Sequence, residues 1–312
     1  MNSKTAMFLV KRILMAILTI FIVITITFFV MQAVPGNPFL SEKAMSAERI
    51  ATLTKRYGLD RPIMVQWLDY SRKSFVFDFG ISIKTYPGRE VSEIILDGFK
   101  YSAINGLLAA TVAIIFGIIL GVTAAVHRGK IADRIIMIFT TAMVAVPSFV
   151  IAAFFLYWFC VKAQAFPINY GTSTSPLKYF LPVLALSLYP MSYITRLTRT
   201  STLDVLGSDF VRTARAKGVS PLKVLFKHTL RNSLTPVISY AGPMIAFILT
   251  GSLVVENVFS IPGLGNTLIK AINNSDYPLI MGMTVFISIL VILMILVSDF
   301  LYKVVNPRVD LE

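Results

Sequence analysis

The sequence predicts an all-α polytopic membrane protein with six transmembrane helices and a small extracytoplasmic domain between the first two. Three observations carry this. Of 312 residues, 56% are hydrophobic and only 14% charged, against about 25% charged in a soluble domain. The charges are segregated, leaving six uncharged runs that cross, or nearly cross, a bilayer core needing about 20 apolar residues. The basic residues then gather in alternate connections, as a fixed orientation in the membrane requires.

The runs are 13–34, 101–126, 135–161, 179–195, 232–255 and 277–298. The first is too long for a secretory h-region and reads as an uncleaved anchor. In the second, Gly117 and Gly121 form a small-xxx-small pair that lets two backbones approach closely. Pro147 interrupts the third run, Pro182 and Pro190 lie in the short fourth, and Pro236 and Pro243 lie in the fifth. Kinks in a packed bundle account for them.

With both termini inside, the cytoplasmic segments hold Lys4, Lys11, Arg12, Arg128, Lys130, Arg134, eight basic residues between Arg196 and Arg231, then Lys303 and Arg308. The short outer loops hold Lys162, Lys178 and Lys270. Sixteen against three fixes the N- and C-termini in the cytoplasm. The net charge of +13 is explained by these loops, and no compact basic domain exists to bind nucleic acid. The single cysteine, Cys160, excludes an intramolecular disulfide and a cysteine metal cluster.

Residues 35–100 form the one sizeable segment outside the spans. The spacing predicts short helices over 46–57 and 62–74, extended chain over 75–83 closed by Pro87-Gly88, and an amphipathic helix over 91–99 along the outer interface. Eight acidic and ten basic residues nearly cancel there, as in a folded cap. The division is thus residues 1–34, the cytoplasmic N-terminus and first span; 35–100, the outer domain; 101–304, the core of five spans; and 305–312, a cytoplasmic tail.

The core contains a strongly basic loop, 196–232, holding Arg196, Arg199, Arg212, Arg215, Lys217, Lys223, Lys227 and Arg231 against Asp204 and Asp209. Ser208 or Asp209 can cap a short helix through Lys217, and Gly218 suits a left-handed helix end. Ser220 is a second N-cap and Pro221 sits at the favoured first helical position. Leu222, Leu225, Phe226, Thr229, Leu230, Ser233 and Leu234 follow helical spacing. A short helix, a hard turn and a second helix make a docking device.

Catalytic chemistry is missing. No GxxxxGK[ST] phosphate loop is present. His127 and His228 lack carboxylate or cysteine partners at ligand spacing, and no nucleophile elbow or paired carboxylates occur. Only Glu256 and Asp299 approach the spans, and both fall at span ends. A coupled carrier keeps a carboxylate or broken helix near the midplane, so energy supplied by another protein fits better. A stand-alone ion-coupled carrier or channel remains the alternative.

Against this background the segment RTARAKG at 212–218, followed by Thr235-Pro236, resembles the cytoplasmic coupling loop of ABC-importer permeases. Nine blocks in order resemble the first permease subunit of oligopeptide/dipeptide importers: MQAVPGNP at 31–38, YGLDRP at 57–62, FDFG at 77–80, VPSF at 146–149, DFVRTARAKG at 209–218, VVENVF at 254–259, IPGLG at 261–265, DYP at 276–278 and NPR at 306–308. Arg212 and Thr213 depart from the general E-A-A-x-x-x-G loop, in the manner of the peptide branch.

The resemblance implies the ABC type I importer permease fold in the plasma or inner membrane of a prokaryote. It implies a second permease subunit, two ATPase subunits, an extracellular peptide-binding protein and membrane lipid as partners. No cofactor would be bound by this chain, ATP and Mg being held by the ATPases, and the chain itself would not be an enzyme. Asp209, Phe210, Val211, Arg212, Ala214, Arg215, Lys217 and Gly218 would then be the ATPase-coupling residues. Phe210, Val211 and Ala214 would seat in the ATPase groove while Arg212 and Arg215 meet acidic rims; resting on anionic lipid is the other reading of the same basic helices. Glu256, Ile261, Pro262, Gly263 and Gly265 would face the pathway or the receptor, although an ordinary tight turn explains the two glycines equally well.

Overall fold

The computed structural model describes residues 3–33, 60–168, 170 and 175–305. The expected helix at 46–57, residues 34–38 and 57–59 of the first two blocks, the NPR block and the tail from 306 lie outside the described residues. The chain divides into two compact units, Met1–Lys100 with Gly263–Leu293, and Tyr101–Pro262 with Met294–Glu312.

Among the described residues, five helices are long and apolar enough to cross a membrane: Val10–Ala33, Val91–Val126, Pro176–Leu206, Thr235–Val258 and Tyr277–Phe300. A sixth crossing requires the pair Ile131–Ala145 and Ser148–Lys162 to act as one span, and that pair is bent by 98°. The third run is therefore no straight helix. Val146 precedes a proline, and the proline ring pushes the preceding residue out of the helical region; Val146 accordingly sits at φ −91, ψ 123. On one side of the bend is α4 (Ile131–Ala145) and on the other α5 (Ser148–Phe155), which widens into a π-helix at Leu156–Lys162.

In the first unit, α1 (Ser3–Ala33) packs against α2 (Ile63–Phe75), which matches the helix expected at 62–74. Trp67 fixes the pair: its indole N–H donates to Thr25 Oγ1 at 3.2 Å, and its ring lies edge-on to Phe21. Tyr70 lies against Phe28, and burial pushes its phenol up to about 12. The segment expected to be extended makes a single bridge, Ile81 to Glu90. A core of Ile24, Phe79, Val91, Ile94, Ile95, Leu264, Leu279 and Met283 closes this unit.

Residues 91–99 are not a separate helix. They are the first turns of α3 (Val91–Val126), a continuous helix of 36 residues, about 54 Å at 1.5 Å per residue. Gly98 lies within it at a close approach, where a Cβ would come 3.3 Å from the Gly263 carbonyl carbon.

In the second unit, α6 (Phe180–Leu206) follows a 3-10 turn at Pro176–Tyr179 and runs unbroken through Pro190. Instead of ending near Thr195, as hydropathy suggests, it carries Arg196 and Arg199 within the helix and continues to Leu206. Its buried face packs on α3, where Gly117 meets Ile194 and Gly121 meets Thr195 and Thr198. The other helices of this unit are α7 (Asp209–Ala216), a helical rod over 221–233, α8 (Thr235–Leu249) and α9 (Leu253–Val258); α10 (Leu264–Asn273) belongs to the first unit, and α11 (Tyr277–Val305) has residues in both.

Candidate functional site

The basic loop is a helix–turn–helix whose turn is fixed by local chemistry. Gly218 has φ +73, the left-handed region that favours glycine. Its N–H donates to Arg215 O at 2.9 Å and Val219 N–H to Ala214 O at 3.2 Å, the paired closure of a Schellman cap. Ser220 and Pro221 then start the next helical turn, with Val224 N–H donating to Ser220 O at 2.9 Å. Ser208 occupies the N-cap position of α7, but its hydroxyl turns back and donates to Val205 O at 2.6 Å.

Tertiary packing splits the expected face of α7. Val211, with no exposed surface, and Ala214 are buried against Val224, with Val205, Leu206 and Val219 around them. They join α7 to its own chain and are closed to a partner's groove. Phe210 stays 47% exposed, and the neighbouring rod leaves Leu222 at 69% and Phe226 at 65%. Asp209, Arg212, Arg215, Lys217 and Gly218 are all exposed. The presentable surface is therefore Phe210 with Arg212, Arg215 and Lys217, beside the Leu222 and Phe226 side chains.

Behind this device lies an ion pair that residue spacing gave no sign of. Asp133, in the first turn of α4, accepts from Arg199 of α6 through both oxygens, Nε to Oδ1 at 2.6 Å and Nη2 to Oδ2 at 2.9 Å. The Gly129 N–H adds a third bond to Oδ2 at 2.8 Å.

The second candidate group is internal. Glu256 is buried on α9 and its carboxylate accepts from Ser102 Oγ at 2.7 Å. Ile261, Gly263 and Gly265 are buried and Pro262 half-buried. Gly263 is extended at the N-cap of α10, and Gly265 is already within that helix. Within this chain these residues support the fold and do not form a loop reaching outward. Among the described residues, no group of three or more His, Cys, Asp or Glu is placed to hold a metal ion.

A multi-pass helical body presenting a rigidly capped basic helix has the build of the membrane subunit of a transporter. The comparisons agree. Residues 117–311 match the family model for the binding-protein-dependent transport system inner membrane component, and residues 5–85 match that for the N-terminal part of such membrane components. This chain belongs to that family of transport-system membrane components. It is 40% identical over 307 residues to the dipeptide transport system permease protein DppB of Bacillus subtilis, covering 98% of this chain and 99% of that one. It is 39% identical over 303 residues to the oligopeptide transport system permease protein OppB of Salmonella typhimurium, covering 97% and 98%. Among solved structures, a chain of the inward-facing MetNI methionine ABC transporter superposes with a TM-score of 0.57 at 16% identity, covering 68% of this chain and 96% of that chain. The fold is thus the type I importer permease fold.

Proposed function

We propose that this chain is a permease subunit of an ATP-driven peptide importer, forming half of the pathway for dipeptides or oligopeptides delivered by an extracellular binding protein. Nearly full-length identity with dipeptide and oligopeptide permeases supports the cargo class. The observation that carries the mechanism is the capped helix α7, held on α6 by Val211 and Ala214 so that force on its outer face reaches a span. In this reading ATP and Mg are bound by two separate ATPase subunits, a second permease completes the pathway, and the chain is not itself catalytic. Phe210 enters an ATPase groove while Arg212 and Arg215 meet its acidic rim. ATP-driven closure then moves α7 as a rigid body and rocks the spans between inward- and outward-open states. The excess of basic residues in alternate loops supports a cytoplasmic position for both termini in a prokaryotic cell.

Purification from mild detergent should recover a second permease and two Walker-A ATPases with the tagged chain. Proteoliposomes of that complex should import peptide only with ATP and binding protein. Recovery of the chain alone, transporting without ATP, would point instead to an independent carrier or channel. In the assembled complex, Arg212→Glu with Arg215→Glu should lower peptide-stimulated ATP hydrolysis about tenfold or more, the scale of losing charged anchors at an interface centre. Undiminished hydrolysis would remove α7 from the docking surface. The conservative change Ser208→Ala should leave hydrolysis near wild type, since the Ser208 hydroxyl bonds to Val205 O and not to the first turn of α7.

A further inference from the structure

We propose that Asp133 and Arg199 form a positioning clamp that makes α4 move with α6, and that this clamp, rather than α7 alone, sets how much peptide is moved per ATP. The inference rests on the importer reading above. Its basis is the order of elements along one lever. Arg199 lies within the unbroken helix α6, which ends at Leu206, and α7 begins at Asp209. Displacement of α7 therefore passes along α6 to Arg199 through a single short turn. From there the guanidinium passes it to α4 through two parallel bonds to one carboxylate, a fork that fixes orientation as well as distance.

The same carboxylate holds the Gly129 N–H, in the turn between α3 and α4. Gly129 is left-handed, φ +78, and a Cβ there would meet nothing within 4 Å, so its conformation and not crowding calls for glycine. One buried side chain thus gathers α6, the start of α4 and the turn behind it. The far end of α4 is the 98° bend at Pro147. A clamp at one end and a proline break at the other bound α4, a short helix lying along α6 whose register on α6 the clamp sets. One face of α6 before Arg199 is already held by Gly117 and Gly121 of α3. On the other side α4 packs along α6, and the ion pair adds to that apolar packing a charged link that fixes its register.

The test uses the full complex with its ATPases, second permease and binding protein in proteoliposomes. Asp133→Asn and Arg199→Lys are expected to assemble and hydrolyse ATP within about twofold of wild type, while peptide imported per ATP falls about fivefold or more. Asp133→Glu, which keeps the carboxylate, should recover most of the ratio. Spin labels on α7 and α4 should keep their separation when ATP is added to wild type and change it in Arg199→Lys. Assembled variants with a wild-type ratio and an unchanged label distance would overturn the clamp. Loss of assembly in both Asp133→Asn and Arg199→Lys would overturn it too, reducing the pair to a folding element. Failure of the wild-type complex to import peptide with ATP would count against the importer reading instead, and the label distances would still decide the clamp.

Discussion

Replacing Asp276 with alanine should release the loop at 82–86 and abolish peptide import. The Asp276 side chain is fully buried and accepts from Ser82 Oγ at 2.6 Å, Thr85 N at 2.8 Å, and Ile83 N and Lys84 N at 3.2 Å. Ser82 Oγ in turn accepts from Tyr86 N at 3.0 Å. Consecutive backbone N–H groups converging on one carboxylate form an anion nest. Removing the acceptor strands several donors at once, each costing about 1–3 kcal/mol when water cannot replace it. Residues 83–85 are only half-buried, so water recovers part of this, and a total of about 3 kcal/mol is expected. Asp276→Asn should fall between, because its amide keeps one acceptor but turns an N–H₂ toward donors. Hydrogen exchange at 83–85 in the purified complex reads this directly. Protection unchanged in Asp276→Ala would show that the loop is held by something else.

Gly121→Val should prevent the second unit from packing, with Gly117→Val close behind. A Cβ at Gly121 would lie 2.6 Å from both Thr195 O and Thr198 Cβ, and one at Gly117 would lie 2.7 Å from Ile194 Cγ2. The carbonyl at Thr195 belongs to an unbroken helix and cannot turn aside. Relief requires α3 and α6 to separate, which sacrifices close packing along their whole contact. Overpacking of this kind costs about 1–3 kcal/mol for a flexible neighbour and more for a backbone one. The expected result is loss of monodisperse protein in detergent for Gly121→Val, with Gly121→Ala intermediate. A wild-type melting temperature for Gly121→Val would mean that α3 and α6 do not approach this closely.

Features that depend on neighbours in the chain were legible before any fold was known. Uncharged runs located the spans because an unpaired charge or backbone group in lipid is too costly. Gly218, Ser220 and Pro221 located the turn after α7 because their backbone preferences act within one or two residues. The small pair Gly117 and Gly121 announced a helix contact, though not its partner. The nine motif blocks identified the family, and full-length similarity to peptide permeases agrees with them.

Features that depend on distant parts of the chain became visible only in the fold. Hydropathy ended the fourth run at Arg196, yet α6 continues to Leu206, because a helix stops only where its hydrogen bonds are interrupted and a charge does not interrupt them. Residues 91–99 read as a separate interfacial helix because they are amphipathic, and they are the first turns of α3. Val211 and Ala214 share a stripe with Phe210 at helical spacing, but the chain's own Val224 covers only part of it. Periodicity gives the face of a helix and not what lies against it. The buried carboxylates show the limit most clearly. Asp133 finds Arg199 across 66 residues, Ser102 finds Glu256 across 154, and Ser82 finds Asp276 across 194. Such pairs exist because burial makes each ionised or polar group seek a partner wherever the fold supplies one, and at those separations only the fold says where that is.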